Sequence, residues 1–146
     1  MALIEKKLTL EKVIGTELQI GVLYEILKRR THNISNKVLP FDNQHREFVR
    51  KHPYRAWYLV KLDFNYIGTA YVMKNNCIGI SLISNVDKFS FIVDKIIKKH
   101  KPLKEIKSIR PSYFYLNIAP DNKEVEQELI KMGAQRIQLT FALVST

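Results

Sequence analysis

One cysteine, Cys77, stands in a chain of 146 residues. It excludes an internal disulfide and a cysteine-based metal cluster. Histidine is scarce as well. His45 and His52, seven positions apart, would lie about 10.5 Å apart along a helix, too far for one ion, and no metal site is expected. No apolar run approaches the ~18 residues that a membrane helix needs, so no membrane partner is expected. The opening Met-Ala-Leu-Ile-Glu-Lys-Lys lacks the apolar stretch of a signal peptide, and the expectation is a cytoplasmic protein. Ser-His-Asp spacing, a P-loop and a dinucleotide fingerprint are all missing. Glycine is thin where it would matter most: the join Ser84-Asn85-Val86-Asp87, between a strand and a helix, contains none.

What is present is an ordinary globular composition, 46% hydrophobic and 26% charged, long enough to bury one core. With no repeat, low-complexity tract or linker, residues 1–146 read as one domain. The net charge of +10 points to an anionic partner or ligand. Lys95, Lys98, Lys99, Lys101, Lys104, Lys107 and Arg110 form a basic stretch. A solvated face is the simpler account of such a run, and its lysines also complement a helix C-terminus.

Residues 7–14 alternate as a strand. Thr16 with Gln19 forms a capping-box signature, opening a helix with Ile20, Leu23, Tyr24 and Leu27 on one face. Asp42 can cap a second helix that turns Phe48 and Val49 inward. Arg55–Leu62 and Ile67–Met73 favour a pleated surface. Asn75-Asn76 signals a tight hairpin into Cys77–Ile83. Ser84 and Asp87 form a second box before a helix carrying Val86, Phe89, Val93, Ile96 and Ile97. Tyr113–Ala119 follows as a strand, and Asp121 with Glu124 caps a helix that turns Val125, Leu129 and Met132 inward. Gly133 suits the position after that helix, and Gln135–Val144 closes the chain as a strand. The order is β-α-α-β-β-β-α-β-α-β, an α/β (α+β) mixed sheet.

That order, with "LYEILKRR", "NIS", "KHPYRAWYLVK", "YIGTAYV", "CIGISLI" and "NIAPDNKEVEQELIKMGA" in sequence, resembles the GNAT N-acetyltransferase superfamily across most of the chain. The resemblance implies strands that splay around the pantetheine of acetyl-CoA, the expected cofactor. Ser81, Leu82 and Ile83 would meet the pantetheine. Ser84, Asn85 and Lys88 would lie at the pyrophosphate, where N–H groups and a helix dipole attract anions. Asn117 and Asn122 match family positions near the cofactor; a strand-end hydrogen bond and a helix cap account for them equally well. The family's glycine-bearing phosphate loop, Q/R-x-x-G-x-G/A, is absent, and Asp87 would repel a phosphate ~4 Å away by about 1 kcal/mol in water. Leu129 stands where the family often carries a tyrosine that protonates the thiolate, and its spacing marks a core residue.

N-acetyl transfer needs a base to deprotonate an ammonium acceptor. His32, His45 and Glu47 lie in the segment that usually lines the acceptor pocket, though each also reads as a surface or capping residue. Asn33, Trp57, Tyr71 and Tyr115 could touch the substrate or, for the aromatics, fill the core. Two functions follow. One is an acetyl-CoA-dependent N-acetyltransferase acting on an amine of a small molecule or sugar nucleotide. The other is a catalytically inactive GNAT-fold binding module for an anionic partner such as nucleic acid, whose affinity would fall steeply with salt.

Overall fold

A computed structural model describes residues 5–30 and 39–144. Strand β1 (Leu8–Lys12) leads into helices α1 (Glu17–Arg29) and α2 (Asp42–Arg50). Strands β2 (Ala56–Leu62), β3 (Asn65–Val72) and β4 (Cys77–Leu82) follow. A 3₁₀ turn over Val86–Lys88 runs into α3 (Phe89–Lys99), then β5 (Tyr115–Leu116) and α4 (Lys123–Lys131). The five strands form one sheet in the order β1-β2-β3-β4-β5, antiparallel except for the parallel β4–β5 pair. Three antiparallel strands followed by β-α-β is the expected topology.

Strand β2 is buried on both faces because helices cover both. Trp57 and Leu59 pack with Val13, Ile20, Leu23, Ile26 and Val49 beneath α1 and α2. Val60 and Leu62 pack on the other side with Ala70, Val72, Ile78, Ile92 and Ile96 beneath α3. Period-2 alternation in the strand therefore serves two cores at once.

Several local expectations change on contact with tertiary structure. Thr16 does cap α1, accepting the Gln19 N–H at 3.1 Å. The Gln19 side chain reaches back beyond the cap: Oε1 accepts the Ile14 and Gly15 N–H groups, and Nε2 donates to the Lys12 carbonyl. That stitches β1 to α1. Asp42 is the first residue of α2 rather than its cap; Phe41 precedes it, with its N–H on Gln44 Oε1. The Ser84–Asp87 box does not form, because Asn85 takes a left-handed conformation (φ 59°) and Ser84 Oγ donates to Asn85 Oδ1. Asn122, not Asp121, caps α4, accepting from the Val125 N–H. Phe48, Ile97 and Met132 are exposed rather than buried, Met132 because it is the residue that ends α4.

Gly133 closes α4 as anticipated. At φ 88° its N–H reaches the Ile130 carbonyl and Ala134 N–H the Leu129 carbonyl, which is the Schellman pairing. The strand expected over Tyr113–Ala119 shrinks to two residues, since β5 meets β4 only at Cys77↔Tyr115 and Ile78↔Leu116. The last strand is corrected too: residues 135–144 join no ladder and stay exposed, because the described sheet stops at β5.

Asn76 anchors this last part of the sheet. It is fully buried, with φ 72° in the hairpin. Its Nδ2 donates to the Leu103 and Pro111 carbonyls at 2.9 and 2.8 Å, and its Oδ1 accepts the Leu103 N–H at 2.8 Å. Its own carbonyl accepts the Tyr115 N–H. One side chain thus pins both ends of the basic loop and delivers β5 to β4. Asn76→Ala leaves buried groups unpaired and puts a Cβ-bearing residue without local hydrogen bonding at positive φ; a loss of about 2–4 kcal/mol in urea unfolding is expected. Asn76→Gly relieves the backbone strain alone and recovers only part of that loss.

Candidate functional site

Strands β4 and β5 part after Ile78 and Leu116. The divergence opens a narrow cleft of about 190 Å³, lined by residues that include Ile80–Ser84, Phe89, Asn117–Ala119, Asn122 and Val125. Pockets that enclose drug-sized ligands run ~300–1,000 Å³, so this one suits a slender arm with the rest of its molecule outside. Phe89 and Val125 give it an apolar floor, since both are buried in the cluster that joins α3 to α4.

Its polar wall is backbone. The Ile83 N–H donates to the Ile67 carbonyl and the Cys77 carbonyl accepts the Met73 N–H. These bonds assign the odd-numbered residues of β4 to β3. In an antiparallel ladder the alternate residues face the other edge, so Ile80 and Leu82 turn their N–H and C=O groups towards the cleft. Of the three residues expected to offer backbone there, Leu82 does; Ser81 and Ile83 line the cleft but have the parity that faces β3, to which Ile83 gives its N–H. Ile80 was missed because strand parity is set by partners, not by local sequence.

Ser84, Asn117 and Asn122 also line the cleft. Asn117 Nδ2 donates to Cys77 Sγ at 3.7 Å, and burial raises the Cys77 thiol above its ordinary value. Asn85 and Lys88 do not line the cleft. Asn85 opens the 3₁₀ turn, and the Lys88 ammonium lies 5.5 Å from the Phe91 ring centre.

Arg30 and Glu124 complete the rim. Arg30 also lies near enough to lower Tyr54 and Tyr71, opposing the larger effect of burial. Burial pushes Tyr54 up to about 12 and also raises Tyr71, so both phenols keep their protons at neutral pH. Their rings stack 4.1 Å apart, nearly parallel, with Trp57 and Phe48 edge-on to Tyr54 and His52 tilted against it. Ile83 packs against the same cluster. Arg30 and Ile83 therefore connect the cleft to an aromatic wall that periodicity did not reveal.

Among the expected acceptor residues, Trp57 is buried and donates Nε1–H to Thr69 Oγ1 at 2.7 Å. Tyr71 stands in the aromatic wall, opposite Gly79. Tyr115 is half-buried in β5, paired with Cys77 of β4. His45 Nε2 is held by the Ile20 carbonyl at 3.0 Å and its ring packs on Tyr24. Glu47 is exposed and paired with Lys51. Neither lines the cleft, and the structure does not bring them together with it. His32 and Asn33 fall outside the described residues. Among the described residues, no three His, Cys, Asp or Glu side chains gather as metal ligands, and no helix is long and apolar enough to cross a membrane.

No family model matches the sequence, and no curated protein matches it. A solved structure described as a possible acetyltransferase from Clostridium difficile 630 superimposes on 98% of this chain and 99% of its own, with a TM-score of 0.55 and 7% identity. The likeness is one of fold, and that fold is GNAT-like.

Gly79 underlies the aromatic wall. A Cβ placed there would lie 2.1 Å from Tyr71 Cζ. Gly79→Ala must displace the Tyr71 ring and is expected to cost about 1–3 kcal/mol in chemical denaturation, with a changed near-ultraviolet circular dichroism from the disturbed tyrosine stack.

His52 is held below its ordinary value of 6.5 by burial, and its Nδ1 accepts the Tyr54 N–H. The folded chain thus binds fewer protons here than the unfolded chain. His52's contribution to stability is complete above about pH 6.5 and is lost as the pH falls below it. A flatter stability profile between pH 7 and 5 in His52→Gln, together with a wild-type imidazole titrating below 6.5 by NMR, would check the assignment.

Proposed function

We propose that the protein is an acetyl-CoA-dependent N-acetyltransferase acting on an amine of a small molecule or sugar nucleotide. One observation carries the reading: the parted β4 and β5 leave the Ile80 and Leu82 main chain open along a slender cleft. The fold neighbour described as a possible acetyltransferase supports it.

The residues fit the group. Outward N–H and C=O groups on Ile80 and Leu82 match the amides of a pantetheine arm, as a strand edge matches an added strand. Phe89 and Val125 favour its methylenes. Ser84 and Asn85 lie where the chain enters the 3₁₀ turn, with Lys88 adding positive charge for the phosphates. Asn85 at positive φ does here the conformational work that glycine does in the family loop. The capping box that would have set a carboxylate against a phosphate is not formed.

When bound, the cofactor supplies an acetyl thioester. The chain's part is placement and proton control. Arg30 and the Tyr54–Tyr71 face would form the acceptor side, where aromatic faces hold a flat ring or a cation. Leu129 cannot protonate a leaving thiolate, and neither Tyr54 nor Tyr71 lines the cleft itself. Neither His45 nor Glu47 lines the cleft, so neither is assigned as the base; Glu124 is the carboxylate on its rim.

Calorimetric titration with acetyl-CoA and with free coenzyme A is the test. Saturable binding is expected, with about 2.7 kcal/mol of added stability at 100 times the dissociation constant. Asn117→Trp, which crowds the cleft, should abolish it without unfolding the protein. Absence of binding to the wild type would overturn the reading and leave a GNAT-fold binding module.

A further inference from the structure

The segment between α3 and β5 forms a basic finger that is tied down along its length. Arg55 Nη1 donates to the Lys101 carbonyl at 2.9 Å, and Arg110 Nε donates to the Lys104 carbonyl at 2.6 Å. Ile106 and Arg110 pair as an antiparallel bridge. The bridge closes a turn over Lys107, Ser108 and Ile109, in which Ser108 takes a φ of 66°. Asn76 holds Leu103 and Pro111 on either side of that turn.

The charge of the finger is not spent within the chain. From Lys95 to Arg110, seven cations stand against one carboxylate, Glu105. Lys98, Lys101, Lys104 and Lys107 are exposed, and among the described residues none of them takes part in an ion pair. The cleft is not their counterpart. The finger enters β5 beside Cys77, at the start of β4, whereas the cleft runs along Ile80–Ser84 at its end. The six residues of β4 put roughly 20 Å between the two.

Apolar side chains stand among these cations: Ile106, Ile109 and Tyr113 are 41%, 70% and 50% exposed. A solvated face accounts for the lysines alone. Nucleic acid is met by cations and stacking aromatic rings, and has no use for two isoleucines. A bilayer with anionic headgroups uses both features, since lysines are drawn to its surface and apolar side chains enter among the headgroups.

We propose that this finger docks the protein on an anionic lipid surface, with Ile109 at the tip entering the headgroup layer and the lysines around it meeting the lipid phosphates. The contact is peripheral and needs no membrane-spanning helix. Because the finger is already anchored, little ordering is left to oppose docking. The cleft, at the far end of β4, stays open in the docked molecule. The proposal is independent of the acetyl-transfer reading.

Flotation of the full chain with vesicles of equal parts phosphatidylserine and phosphatidylcholine should show binding that weakens as salt rises. Vesicles of phosphatidylcholine alone should bind at least about tenfold less. Lys101→Gln with Lys104→Gln and Lys107→Gln should lower the partition coefficient on the order of 100-fold, and Ile109→Ser about tenfold. Both variants should keep the wild-type circular dichroism, because none of these side chains is buried. No binding to the anionic vesicles would overturn the proposal, as would binding indifferent to the lysine substitutions. A single-stranded RNA oligonucleotide that displaces the vesicles and binds Ile109→Ser as well as wild type would assign the finger to nucleic acid and overturn it equally.

Discussion

The buried amide of Asn76 is the constraint on which the functional half of the molecule depends. Its side chain holds Leu103 and Pro111, and its carbonyl holds Tyr115. The long basic loop between α3 and β5 would otherwise have no fixed relation to the sheet. With both ends tied to the hairpin, β5 arrives beside the start of β4 and leaves it two residues later. The cleft is the space that this short meeting creates. A longer ladder would close it, and no ladder would leave it without a far wall.

Two kinds of chemistry then share one rim. On one side lie unpaired main-chain groups of β4, polar, directional and indifferent to side-chain identity. On the other lie stacked aromatics whose closeness depends on Gly79, over which the Tyr71 ring passes. Arg30 stands between them, lining the cleft while lying near Tyr54 and Tyr71. A backbone edge suits a repetitive amide-bearing arm; an aromatic face with a guanidinium beside it suits a planar or charged partner. The basic stretch that dominates the charge balance is partly occupied with structure: Arg110 donates to the Lys104 and Lys74 carbonyls, and Lys99 lies near the Tyr58 ring.

Much of the fold was legible because local signals agreed with one another. Thr16 as a cap, the Asn75-Asn76 hairpin and Gly133 after α4 each rest on hydrogen bonds or φ values available within a few residues. Where local reading failed, a competing local bond or a distant partner decided. Ser84 and Asp87 have the spacing of a box, but Asn85 at positive φ redirects Ser84. Gln19 has the spacing of a box too, yet its amide is drawn to the end of β1. His45 looks like a candidate base until the Ile20 carbonyl and Tyr24 surround it.

Residue order alone determined that this is an α/β chain with three antiparallel strands before a β-α-β unit, because hydrophobic period, caps and turn residues act over short distances. It also carried the resemblance to a GNAT enzyme, together with the missing glycine loop and the leucine at position 129. Tertiary structure decided which β4 residues present free backbone, where β5 leaves the sheet, and that the final apolar segment finds no place in its own sheet. Those outcomes turn on pairing between segments far apart in sequence, and strand parity, ladder length and edge occupancy belong to the pair rather than to either strand.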